Sequence, residues 1–201
     1  MTDTTAVDLG PQARLVARLA TDVPDAALAD RTPCPGYTVR DLLGHLTGLA
    51  VAFRDAARKD LGPTTDTPPG STTPSLPADW REELPRALGE LAEAWRKPAA
   101  WTGMTRAGGV DLPAEIAVTV AADELVIHGW DLARATGQKY TPDHAALRAS
   151  HAFLLQAAED EGRGGGAFGA VVPVRDDAPL LDRAVGLSGR DPNWTPQTVK
   201  A

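Results

Sequence analysis

Cysteine, basic clusters and long apolar runs are all scarce in this chain, and each shortage closes a class of function. The single cysteine, Cys34, cannot form an internal disulfide or supply a cysteine-rich zinc site, so a metal here would need histidine and carboxylate. No apolar run approaches the ~20 residues that a membrane span needs. The segment Met1-Thr2-Asp3-Thr4-Thr5 lacks the basic region and apolar core of a signal peptide, so the expected location is the cytoplasm, with no membrane partner. Lysine and arginine nowhere cluster enough to follow a phosphate backbone, and the formal net charge is -7, which argues against nucleic acid.

What is present reads as one globular domain. A chain of 201 residues can close a hydrophobic core without a second domain. Its 17 prolines and 19 glycines imply several long loops between the regular elements.

Helical periodicity dominates. Leu15, Val16 and Leu19 predict a first helix over 11–20, with Pro11 suited to its first turn. A short turn over 23–29 and a stretch held extended by Pro33 and Pro35 follow. Thr38 is a good N-cap with Asp41 three residues on, and 39–58 predicts a second helix. Its buried stripe is Val39, Leu42, Leu43, Leu46, Leu49, Ala50 and Phe53, with His45 at the edge and facing inward. Residues 60–79 have no period and many breakers, and predict a long crossover or cover. A third helix spans 79–96 despite Pro85, and 99–111 is a loop or short hairpin. The run 113–135 predicts a largely buried fourth helix, with Ile116 among its apolar residues. Thr141-Pro142-Asp143 supplies an N-cap and a first-turn proline for a fifth helix, which ends near Gly162. Val171 to Val174 is short and extended, and 178–187 forms a last amphipathic turn or two.

The fourth helix carries the chemistry. Glu124 and His128 are four residues apart, and that spacing puts them one turn apart on one face. Burying an acid and an imidazole is costly unless both are paired, and a divalent metal pairs with both at once. With His45 as third ligand, two helices supply three ligands and leave a coordination position open, the pattern of a catalytic site. Zinc is favoured, although nitrogen and oxygen donors also admit nickel, iron, manganese or copper. Spacing alone leaves the alternative open, that His45 is a satisfied core histidine and Glu124–His128 a hydrogen-bonded couple. Asp131 is placed to orient an imidazole from behind, or else pairs with Arg134 or lies on a solvated face. Asp123, about 100° around the helix from Glu124, is expected to be exposed. Cys34 reads as a buried, inert thiol near the pocket, and His144 and His151 as surface or packing residues. Trp130, Trp101, Trp95 and Trp80 either line a pocket or pack in the core.

The phrases Thr32-Pro-Cys-Pro-Gly-Tyr-Thr-Val-Arg-Asp-Leu-Leu-Gly-His45-Leu and Glu124-Leu-Val-Ile-His128-Gly-Trp-Asp-Leu-Ala-Arg-Ala-Thr-Gly137 resemble the metal-binding proteins of the DinB-like superfamily. The branch is the one related to mycothiol-dependent maleylpyruvate isomerase, and 181–194 resembles it too. The resemblance implies an all-α, DinB-like four-helix bundle with a long crossover loop and one metal near one end. It puts the bundle core at about 11–162 and a short C-terminal extension at 163–201 of a single domain. It assigns the metal to His45, Glu124 and His128. It also implies a larger C-terminal domain in the isomerase than the residues following the fifth helix here could form.

The function expected is a divalent-metal-dependent thiol transferase or isomerase, in which mycothiol or another low-molecular-weight thiol attacks a small electrophile. The competing readings are a non-catalytic metal or small-molecule binder acting in sequestration, and a hydrolase or cyclase that uses metal hydroxide without thiol. The chain would be a monomer or a homodimer. The pocket is expected between the Pro33-Cys34-Pro35 loop, the crossover and the metal.

Overall fold

The computed structural model describes residues 7–68, 75–159 and 168–196, and in them the predicted helices form. In order they are α1 (Gly10–Thr21), α2 (Val39–Arg58), a one-turn α3 (Pro63–Asp66), α4 (Trp80–Trp95), α5 (Ala114–Thr136), α6 (His144–Ala158) and α7 (Leu180–Leu187). A two-stranded hairpin, β1 (Met104–Ala107) and β2 (Val110–Pro113), separates α4 from α5. Short 3-10 turns lie at Asp25–Ala29 and Pro98–Trp101. No described helix is long and apolar enough to cross a membrane.

Four helices make the bundle. α2 packs against α4 and α5, and α1 packs against the same two, so the ring runs α1, α4, α2, α5. Each inner stripe closes the shared core: Val16 and Leu19 from α1, Leu42, Leu43 and Leu46 from α2, Leu84, Leu88 and Leu91 from α4, Leu125 and Leu132 from α5. A second cluster, built on Val126, Ile127 and Trp130 of the opposite face of α5, takes α6 and α7. Because α5 serves both clusters, every residue from Leu125 to Ala133 is buried. The exception to its predicted burial is Ile116, near its start, which is exposed.

Local chemistry sets several boundaries. Asp143, not Thr141, caps α6, its carboxylate accepting from the Ala145 and Ala146 amides, and Pro142 stands before the cap. The hairpin turns at Gly108-Gly109, whose positive φ values of 60° and 78° are what a two-residue turn of this hand requires. It is fastened down where Thr105 donates to the Ala56 carbonyl at 2.6 Å and the Gly109 amide to that of Thr65 at 2.8 Å. The crossover lies partly outside the described residues, at 69–74. Its far end returns to the bundle at Gly44, where a Cβ would stand 3.0 Å from the Ser75 backbone.

Candidate functional site

Helix α2 begins as its sequence dictates. The Thr38 hydroxyl accepts from the Asp41 amide and the Asp41 carboxylate accepts from the Thr38 amide, a reciprocal capping box. Two turns on, His45 stands beside the buried Leu42 and Leu46 and remains about a quarter exposed. The neighbouring α5 presents Glu124, also about a quarter exposed, and the more deeply buried His128.

The three meet at a point. His45 Nε2 lies 3.3 Å and His128 Nε2 lies 3.1 Å from the same oxygen, Glu124 Oε2. The two rings meet edge to face with centroids 4.7 Å apart, and Tyr37 stands edge-on to His45 at 5.6 Å. Burial opposes charge on Glu124, but the imidazoles of His128 and His45 outweigh it and hold its carboxyl well below the usual range. Burial also opposes charge on His128, yet its bonds to Asp131 and Glu124 push it up to about 9.

Behind His128 lies a second layer. Its Nδ1 is 2.9 Å from Asp131 Oδ2, and Asp131 is fully buried. An ionised carboxylate only accepts, so Nδ1 carries a hydrogen, and once the ring gives up its second proton Nε2 is the nitrogen left to donate a lone pair. Arg190, from the segment after α7, grips Asp131 with Nη2 to Oδ2 at 3.1 Å and Nε to Oδ1 at 3.4 Å. Cys34 stands against this layer, and burial, with the charges of Asp131 and Glu124, pushes its thiol up to about 12 against the opposing effect of Arg190.

Among the described residues two sets of metal donors result, each with its atoms within 4.8 Å of one another: His45, Glu124 and His128, and Cys34, His128 and Asp131. They are not equivalent. In the second, Asp131 is already neutralised by Arg190 and Nδ1 is already turned to donate, so a cation would have to break both contacts. In the first, donors held ~2.1 Å from a zinc at tetrahedral angles would stand roughly 3.4 Å apart, close to the 3.3 and 3.1 Å between Glu124 and the two imidazoles. The partial exposure of His45 and Glu124 leaves a side open to ligand. The residues present fit a divalent metal at the first set.

Other expectations fare differently. Asp123 is buried, not exposed, because α6 covers that face of α5 and Ser150 donates to its Oδ1 at 2.6 Å. Trp130 is buried in the α5–α6–α7 cluster, with the Arg134 guanidinium 5.7 Å from its ring. Trp95 and Trp101 are likewise tied inward, donating to the Phe53 and Trp95 carbonyls. His151 is buried against Arg183, and His144 is exposed. Asp131 pairs with Arg190, while Arg134 instead reaches the Pro192 carbonyl. Arg190 was not singled out by the sequence, since it stands 59 positions beyond Asp131 and nothing between them marks it as that residue's partner; the one available signal was its place in the segment 181–194.

Comparison with known proteins agrees with this architecture. The family model described as mycothiol maleylpyruvate isomerase N-terminal domain matches residues 9–133, which hold all four bundle helices except the last residues of α5, and with them His45, Glu124 and His128. Two uncharacterized proteins of Mycobacterium tuberculosis, Rv0738 and MT0763, are each 24% identical over 176 residues, covering 87% of this chain and 91% of theirs. Crystal structures of the mycothiol-dependent maleylpyruvate isomerase and of a histidine-to-alanine mutant of it share the fold, with TM-scores of 0.62 and 0.63 at 19% and 18% identity. The likeness covers 100% of this chain and 98% of those chains. With more than half of its length matched by the family model, the chain belongs to the mycothiol maleylpyruvate isomerase N-terminal domain family.

Proposed function

We propose that this chain is a thiol-dependent enzyme that holds one divalent metal, zinc by preference, on His45 Nε2, Glu124 Oε2 and His128 Nε2. Its substrates are a low-molecular-weight thiol, mycothiol in the first instance, and a small electrophile, with isomerisation or thiol transfer as the outcome. The observation that carries this reading is the convergence of two imidazole nitrogens from two helices on one carboxylate oxygen, at 3.3 and 3.1 Å. Family membership supports the thiol.

A divalent ion bound there would lower the pKa of a thiol or water at its open position. The chain's own residues do the rest. Asp131 keeps the His128 proton on Nδ1, which reserves Nε2 for the metal. Cys34, held protonated, does not compete as a nucleophile. Tyr37 stands edge-on to His45, and the Ser75–Leu76 backbone packs against Gly44, the residue before it.

The test is elemental analysis of tag-free protein beside a His45→Ala/His128→Ala variant, followed by turnover assays with maleylpyruvate and other small electrophiles, with and without mycothiol. About one metal per chain, lost in the variant, and product only when thiol is present are expected. Metal without product over long incubation would make the protein a binder, product without thiol a hydrolase or cyclase. An equally folded wild type and variant, both free of metal, would end the enzyme reading.

A further inference from the structure

The segment after α7 enters the site in a way that the metal ligands alone do not require. Helix α7 ends in a Schellman motif: the Gly189 amide bonds the Gly186 carbonyl at 3.0 Å, and the Arg190 amide bonds that of Val185 at 3.1 Å. The motif needs a left-handed residue, and Gly189, with φ 86°, provides it. That geometry fixes where Arg190 leaves the helix. Its side chain runs inward, 7% exposed, with Nη1 donating to the Ser188 carbonyl at 3.1 Å and the other two nitrogens to Asp131.

Asp131 Oδ2 therefore has two donors at once, Arg190 Nη2 at 3.1 Å and His128 Nδ1 at 2.9 Å. A carboxylate with one donor can pivot about its last torsion, whereas one gripped from behind at both oxygens cannot. We infer that Arg190 is a positioning residue of the metal site: acting through Asp131, it fixes the ring orientation and tautomer of His128, so that the segment after α7 is a working part of the centre. This rests on the metal reading above for its consequence, though not for its geometry.

The same segment has a second anchor that serves as a control. Arg134 donates to the Pro192 carbonyl at 3.0 Å and does not touch Asp131. Its removal takes away this anchor and leaves both partners of the Arg190–Asp131 grip in the chain.

The experiment compares wild type, Arg190→Gln, Arg190→Lys and Arg134→Ala, all checked for folding by circular dichroism. Zinc affinity is read by chelator competition. The His128 tautomer is read by nitrogen NMR of the metal-free protein along a pH series carried up until the ring is neutral. Arg190→Gln is expected to weaken zinc roughly ten- to a hundredfold and to mix the two tautomers. Arg190→Lys keeps the charge but loses the two-point grip, and should weaken zinc by a smaller factor. Arg134→Ala should match wild type in both readouts. Wild-type affinity and tautomer in either folded Arg190 variant would overturn the inference, as would an Arg134→Ala variant that reproduces Arg190→Gln, since docking of the segment would then be enough. Should Arg190→Gln not fold, Arg190→Lys decides. If wild type itself binds no zinc, the functional reading fails, and the tautomer measurement still decides the positioning role.

Discussion

Asp123 and Glu124 are adjacent carboxylates that the fold sends into opposite conditions. Glu124 is flanked by two imidazoles and stays ionised, whereas Asp123 is buried beneath α6 with the Ser150 hydroxyl on one oxygen. Burial pushes Asp123 up to about 7; the Ser150 bond opposes that, the Glu124 charge adds to it, and Arg190 and His128 oppose it in turn. An acid raised in the folded state contributes stability below its unfolded value and loses it as pH climbs through the folded one. Asp123→Asn keeps an acceptor for Ser150 and removes the charge. Its stability gain over wild type is expected to grow from pH ~4 to ~7 and then level off, on the order of 1–4 kcal/mol. Thermal melts across that range check it; a difference independent of pH would show that ionisation is not the cause.

At the scale of the element, α5 is governed by what crowds it. The Tyr140 hydroxyl donates to the Val126 carbonyl at 2.6 Å and accepts from Gln12 at 2.8 Å, and Gln12 also donates to the Leu125 carbonyl. This polar staple is possible only because residue 129 has no side chain: a Cβ on Gly129 would stand 2.9 Å from the Tyr140 oxygen and 3.2 Å from Val16. Alanine raises helix propensity by about 1 kcal/mol, but overpacking costs about 1–3 kcal/mol, and the buried bonds add to the loss. Gly129→Ala should therefore destabilise by about 1–2 kcal/mol. Gly89→Ala, on α4 with open space at its Cβ, should stabilise by about 0.5–1 kcal/mol. Chemical denaturation of both variants checks the pair, and a gain at Gly129 would mean that the staple yields freely.

For the molecule as a whole, the proposed metal and a proton would compete for the same nitrogen. In the metal-free protein His128 is raised from 6.5 to about 9. The stability it contributes is complete below the lower value and is lost as pH rises through the higher one, on the order of 2–3 kcal/mol. Metal affinity has the opposite slope, since its ligands must be deprotonated. The melting temperature of chelator-treated protein should fall between pH 6.5 and 9.5 by roughly 2–4 °C per kcal/mol, and a zinc-loaded sample should gain over it increasingly across that window. Calorimetry on the two samples checks this, and parallel curves would place the metal elsewhere or nowhere.

The sequence by itself determined the elements and the candidates. Periods of apolar residues gave the long helices to within a few residues, Thr38 and Asp41 marked the start of α2, and the spacing of Glu124 and His128 gave them a common face. Those are short-range properties, legible because helix geometry repeats every few residues. Tertiary structure decided which helices are neighbours. The ring α1, α4, α2, α5 brings His45 to Glu124 across 79 residues of chain, and no local pattern encodes that pairing. It also decided burial on the far side of α5, where α6 turned Asp123 from an expected surface acid into a buried one. The last of these decisions is Arg190, a charged residue whose burial depends on finding Asp131 59 positions away in sequence, because a desolvated guanidinium is tolerable only beside its partner.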